Sequence, residues 1–208
     1  MPNNWIRAAA GCGFVLALTL AFVNENASGD AEKSATMRAK VGQPAPDFTL
    51  LDCEGEKHTL SSLKDQIVVL EWVNQQCPWS VKAIPEIKRL VKKFKDKGVV
   101  WVGVESTHWR KPEENVKYAR DQQLAFKILM DNDGRVGKMY SAKTTPHMYV
   151  IARGKLVYAG ALHNDQYGRK PDGQKRNYVE EALNALLAGK EVPVSETTPW
   201  GCSVKYKK

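Results

Sequence analysis

Two hydrophobic periods run through this chain, one of continuous short apolar runs and one of apolar residues spaced by three and four. Ile67-Val68-Val69-Leu70-Glu71-Trp72 is apolar on both faces except at Glu71, the pattern of a strand buried in the middle of a sheet. Val99-Val100-Trp101-Val102-Gly103-Val104 repeats it. Between them, Val81, Ile84, Ile87, Leu90, Val91 and Phe94 predict a helix from about Pro78 to Lys95, with Lys82, Lys88, Arg89, Lys92 and Lys93 on its wet face and Gly98 ending it. A second helix is expected over Pro112–Gln122, and a short strand over Phe126–Met130. After a turn at Asp131-Asn132-Asp133-Gly134, a short helix carries Val136, Met139 and Tyr140. His147–Ile151 and Lys155–Gly160 read as a hairpin around Arg153-Gly154, and Asn177–Leu187 as a last helix. Upstream, Asp47–Leu51 and Lys57–Leu60 flank a turn at Glu54-Gly55. The sum is an α/β fold: a central mixed sheet, helices on both faces, and an N-terminal β-hairpin extension.

The ends follow different patterns. Arg7, the apolar run Ala8–Val23 and the small residues Ala27-Ser28-Gly29 read as a signal peptide over residues 1–29. Sixteen apolar residues fall short of the roughly 20 that span a bilayer, so an uncleaved N-terminal anchor is the alternative. Residues 30–41 are expected to be a linker, 42–190 the folded domain, and 191–208 a tail that carries Cys202. An exported protein is therefore expected, periplasmic or otherwise extracytoplasmic, touching a membrane only through that N-terminus. Among 208 residues, 43% are hydrophobic and 26% charged, a globular composition. The net charge of +8 comes from scattered lysines without interleaved aromatics, which argues against a nucleic acid partner.

Chemistry concentrates at Cys77, where the first buried strand gives way to the first helix. A thiol there faces unpaired N–H groups and the positive end of the helix dipole, and both favour the reactive thiolate. Glu71, in an apolar strand six residues earlier, is expected to hold its proton to unusually high pH and to relay it. Ser80, one turn into the helix, is placed to hydrogen-bond the thiolate but cannot form a disulfide. Cys202 is a candidate resolving thiol if a mobile tail brings it back; pairing with Cys53, or no pairing, are the alternatives. Cys53 itself reads as structural or incidental. His58, His108, His147 and His163 fall on separate elements, so no metal and no cofactor are expected. Strand alternation turns His147 away from the sulfur.

Val41-Gly42-Gln43-Pro44-Ala45-Pro46-Asp47-Phe48, the strand–Cys77–helix unit with Pro85, and Thr145-Pro146 together resemble the thioredoxin-like superfamily over residues 42–190. Within it, the chain is most similar to the redoxin branch: peroxiredoxins of the alkyl hydroperoxide reductase type and exported thiol–disulfide oxidoreductases. The resemblance implies a cis Thr145-Pro146 bond facing the nucleophile, with Asn74, Trp79, Thr145 and Pro146 lining the substrate. It also implies a peroxide or a protein disulfide as substrate and an external thiol as reductant. Two departures keep both substrates open. Ser80 stands where a two-cysteine motif has its second sulfur, and Asn74 where peroxiredoxins have Thr or Ser. A non-catalytic thioredoxin-like binding module is the contrasting reading.

Overall fold

The computed structural model describes residues 38–171 and 173–207; the expected signal segment, Cys12 and most of the linker lie outside them. A hairpin of β1 (Thr49–Leu51) and β2 (Lys57–Thr59) leads through a 3-10 turn at Leu60–Leu63 into β3 (Ile67–Trp72). Then come α1 (Pro78–Phe94), β4 (Val99–Glu105), α2 (Pro112–Asp121), β5 (Lys127–Met130) and α3 (Arg135–Met139). The chain continues through β6 (Thr144–Thr145), β7 (Met148–Ala152), β8 (Lys155–Gly160), α4 (Tyr178–Leu187) and β9 (Cys202–Ser203).

Five strands form the central sheet in the order β5-β4-β3-β7-β8. β3, β4 and β5 run parallel, while β7 is antiparallel to β3 and β8 to β7. β3, in the middle, shows why its sequence lacks a polar face. Val68, Leu70 and Trp72 pack with Val136, Met139 and Tyr140 on one side, and Val69 packs with Ile87, Leu90, Phe94 and Leu183 on the other. Burial of both faces is what turns two amphipathic helices and a short third one into two covering layers.

Local sequence sets the element ends. Pro78 opens α1 at a position whose N–H needs no partner, and Cys77, in extended conformation, is its N-cap. Gly98, at φ +72°, adopts the left-handed turn that ends the helical segment, and its carbonyl accepts the Ile67 N–H at 3.0 Å. At the far end of β3, the Trp72 indole donates to Ser106 Oγ at 3.0 Å, and Ser106 donates to Asp131 at 2.6 Å. Asp131 also accepts the N–H groups of Val136 and Gly137, which fixes the start of α3.

Two expectations about the periphery change. Residues 38–41 do not behave as linker: the Ala39 N–H bonds to Met139 O at 2.9 Å, and Ala39 and Val41 pack on the core. The tail is fastened to the domain at several points. The Ala159 N–H donates to Ser195 O and the Thr197 N–H to Ala159 O, the Val204 N–H donates to Lys143 O, and the Tyr206 hydroxyl donates to Ala142 O at 2.8 Å. β9 pairs antiparallel with β6. Among the described residues no helix is long and apolar enough to cross a membrane.

Phe94, 1% exposed between the sheet and α1, tests the α1 layer. Phe94→Ala is expected to lower unfolding stability by about 3–5 kcal/mol, measured by urea denaturation.

Candidate active site

The strand-to-helix junction and the end of β6 meet at one sulfur. Asn74 shapes the junction: its side-chain oxygen accepts the Gln76 N–H at 2.8 Å and its carbonyl accepts the Cys77 N–H at 3.0 Å. That closed turn delivers Cys77 to the head of α1. Across from it, the Thr145-Pro146 peptide bond is cis, and Cys77 Sγ donates to Thr145 O at 2.9 Å.

Cys202 completes the group. In the β6–β9 register it stands opposite Thr145, whose carbonyl takes the Cys77 thiol, and the two cysteines shift each other's titration. Gly201 makes the approach possible. It sits at φ +143°, and a Cβ there would overlap the Thr145 carbonyl. On the upstream side, Trp200 donates its indole N–H to His163 O at 2.9 Å and lies edge-on to Trp79 at 6.0 Å between ring centroids. Downstream, the Tyr206 ring rests over Gly134 and Gly137, where no side chain intervenes. Cys77 itself is 1% exposed.

The electrostatics split the two thiols. Burial pushes the Cys77 thiol up, but the Thr145 hydroxyl, the Cys202 thiol and the backbone N–H groups of Ser80 and Cys202 outweigh it, and the net shift is downward. The bond that Cys77 donates to Thr145 O opposes this, because it is lost on ionisation. Cys202 moves the other way: its bond to Cys77 and its burial both raise it. A single negative charge in the pair therefore rests on Cys77.

Glu71 is 2% exposed and accepts the Trp101 indole N–H at 2.9 Å. Burial raises its carboxyl to about 7, against the partial opposition of that indole. Tyr118, on α2, is pushed up first by burial and then by the charges of Glu71, Glu105 and Cys77.

The other sequence candidates divide. Ser80 lies beside the sulfur, but through its backbone; its hydroxyl accepts the Asn74 N–H at 3.4 Å. Asn74 is 3% exposed, and its carbonyl oxygen is committed to the loop. Trp79 is half-buried at the rim, between Trp200 and Tyr167. His147 faces away from the sulfur, its Nδ1 bonded to the Lys143 N–H and the Tyr149 hydroxyl. Cys53 is a free thiol by the β1–β2 turn, its N–H bonded to Ile128 O. Asp52, Glu56 and His58 bring ligand atoms within 4.8 Å of one another, and the Lys127 ammonium sits among them, 3.2 Å from Asp52. The sequence reading missed the β6–β9 pair, Trp200 and Tyr118. Two-residue strands carry no period to read, and only Gly201 beside Cys202 hinted at a close backbone approach.

Comparison with known proteins places the domain that carries Cys77 in a family. Thioredoxin-like protein YneN of Bacillus subtilis is 33% identical over 135 residues, 63% of this chain and 78% of that protein. Thiol-disulfide oxidoreductase ResA of Bacillus thuringiensis is 26% identical over 121 residues, covering 58% and 69%. The crystal structure of an uncharacterized conserved protein from Geobacillus kaustophilus superposes with a TM-score of 0.71 at 30% identity, over 81% of this chain and 93% of that one. The AhpC/TSA family matches residues 41–159, which span the β1–β2 hairpin, Cys77 and the cis-proline turn, and the chain belongs to that family.

Proposed function

We propose that the protein is a thiol–disulfide oxidoreductase whose redox couple is Cys77 and Cys202. The observation that carries this reading is the β6–β9 register, which pairs Cys202 with Thr145, the residue whose carbonyl accepts the Cys77 thiol. In the reaction, Cys77 thiolate attacks one sulfur of a substrate disulfide, forming a mixed disulfide and releasing the other substrate sulfur as a thiolate. Cys202, losing its proton, attacks Cys77 and expels the second substrate sulfur. Two electrons pass to the substrate, and the protein is left with a Cys77–Cys202 disulfide. An external thiol restores the dithiol.

The residues around the couple have roles consistent with this chemistry. The Ser80 N–H stabilises the attacking thiolate. Glu71, with a carboxyl that titrates near neutrality, takes the proton that Cys202 gives up and returns it to a departing thiolate. Thr145 and cis-Pro146 hold Cys77 and β9 in register, and Trp79 walls the approach. A peroxide substrate has thinner support, since Asn74, its expected donor, is buried within the loop. The N-terminal apolar run and its small-residue boundary support export, with the site working outside the cytoplasm.

Three outcomes test the reading. Mild oxidation of the full chain should yield a Cys77–Cys202 linked peptide in a non-reducing digest. Cys202→Ser should accumulate mixed disulfides with a substrate disulfide, and Cys77→Ser should form none; a Cys202 that stays free throughout sinks the couple. Gly201→Ala forces β9 away from the Thr145 carbonyl. It is expected to speed alkylation of Cys77 by iodoacetamide and to slow formation of the internal disulfide.

Glu71 supplies a separate outcome, in stability. Its carboxyl keeps its proton up to about 7 in the folded chain, above the ordinary 4.5. Between those values the folded state binds one proton more than the unfolded state, so stability falls as pH rises, by about 3 kcal/mol in all. Glu71→Gln should flatten that part of the pH–stability curve, read by denaturant midpoints from pH 4 to 8.

A further inference from the structure

One buried polar ring has no part in the chemistry proposed for the sulfurs. His147, 5% exposed, follows cis-Pro146 at the entry to β7, and its carbonyl accepts the Trp72 N–H at 2.9 Å. Burial, and then the Lys143 charge, push the imidazole down to about 3. The ring is therefore neutral wherever thiolates react, with one nitrogen that donates and one that accepts. The Lys143 backbone N–H, which can only donate, lies 3.2 Å from Nδ1. Nδ1 is thus the acceptor, and the proton sits on Nε2. The Tyr149 hydroxyl holds the ring in place, 3.0 Å from Nδ1 and 2.9 Å from Tyr140 O.

The peptide that the imidazole grips also receives the strap, residues 191–207. The Lys143 carbonyl accepts the Val204 N–H at 3.1 Å, two residues beyond Cys202. The next two residues pair with β9, Thr144 with Ser203 and Thr145 with Cys202. Thr145 O takes the Cys77 thiol at 2.9 Å. His147 Nδ1 and the Lys143 N–H close this segment into a loop, braced inside by the Thr144 hydroxyl on Pro146 O at 2.9 Å. β6 is only two residues long and shares its sheet with β9 alone. Its position therefore comes from such single fastenings and not from a ladder. The loop that meets both sulfur-bearing segments is tied to the central sheet through one ring nitrogen.

We infer that His147 is a positioning residue for the Cys77–Cys202 couple: its Nδ1 orients the Lys143 peptide, and that peptide seats the strap so that Cys202 meets Cys77. The inference rests on the proposed couple and adds the residue that aligns it. Without an acceptor at that place the Lys143 peptide is free to turn, and its carbonyl swings away from Val204. The contrasting role is mere filling of space against Tyr149, whose ring lies 4.5 Å away between centroids. The two roles differ in what an amide can replace. An asparagine oxygen occupies the place of Nδ1, whereas leucine fills volume with no acceptor.

The measurement is the equilibrium constant for closing the Cys77–Cys202 bridge in the full chain, read by thiol alkylation across a series of glutathione redox buffers. His147→Leu is expected to lower it by about tenfold, and His147→Asn by no more than about twofold. Each chain is compared below its own thermal unfolding transition. Should the leucine chain not fold, His147→Gln, whose amide oxygen reaches the place of Nε2, stands in for it with the same expected loss. Hydrogen exchange at the Val204 amide of the reduced protein should quicken in the leucine chain and not in the asparagine chain. Equal constants in all chains, unchanged exchange at Val204, or an asparagine chain that falls as far as the leucine one overturns the inference and leaves the couple standing. An unaltered chain that forms no bridge in any buffer overturns the couple itself, and this role with it.

Discussion

The site depends on one backbone carbonyl. Thr145 O receives the Cys77 thiol from the head of α1, while its own residue pairs with Cys202 on β9 and its peptide bond to Pro146 is cis. Three distant stretches of chain converge there because each is fixed by something else. β3 is held by burial of both faces, β6 by the turn into β7, and β9 by Trp200 and Tyr206 on either side. The sulfur geometry is thus a product of core packing as much as of local motif.

Burial in this site works on acids of different kinds. Desolvation alone would raise both Cys77 and Glu71. Around Cys77, short dipoles from Ser80, Thr145 and the strap outweigh it, and the anion is favoured. Around Glu71 the Trp101 indole is the one compensating donor, and the carboxyl remains protonated toward neutral pH. The same burial thus leaves one thiol lowered and one carboxyl raised, both groups nearly closed to bulk water.

Much of this could be read from the chain in advance, for reasons that also mark where reading stops. Ile67–Trp72 and Val99–Val104 announce buried strands because parallel sheets hide both faces, and the spacing from Val81 to Phe94 announces α1. Cys77, Glu71 and Thr145-Pro146 stood out because their residue types are unusual for those positions. The strap did not. Residues 191–207 hold no long periodic run, and their attachment depends on single atoms: the Trp200 indole, the Tyr206 hydroxyl, and a missing Cβ at Gly201. Ser80 and Asn74 show the converse limit. Backbone geometry, which residue type does not encode, decides the hydrogen bonds each one makes.

The fastening of β9 on both sides of Cys202 also has a statistical meaning. A thiol on a loose tail samples a large volume and meets its target rarely, whereas one clamped by an indole and a phenol spends its time beside a single neighbour. In the proposed couple, the ease of closing an internal bridge would be set by how firmly these two aromatic side chains are seated, and not by the abundance of thiols outside.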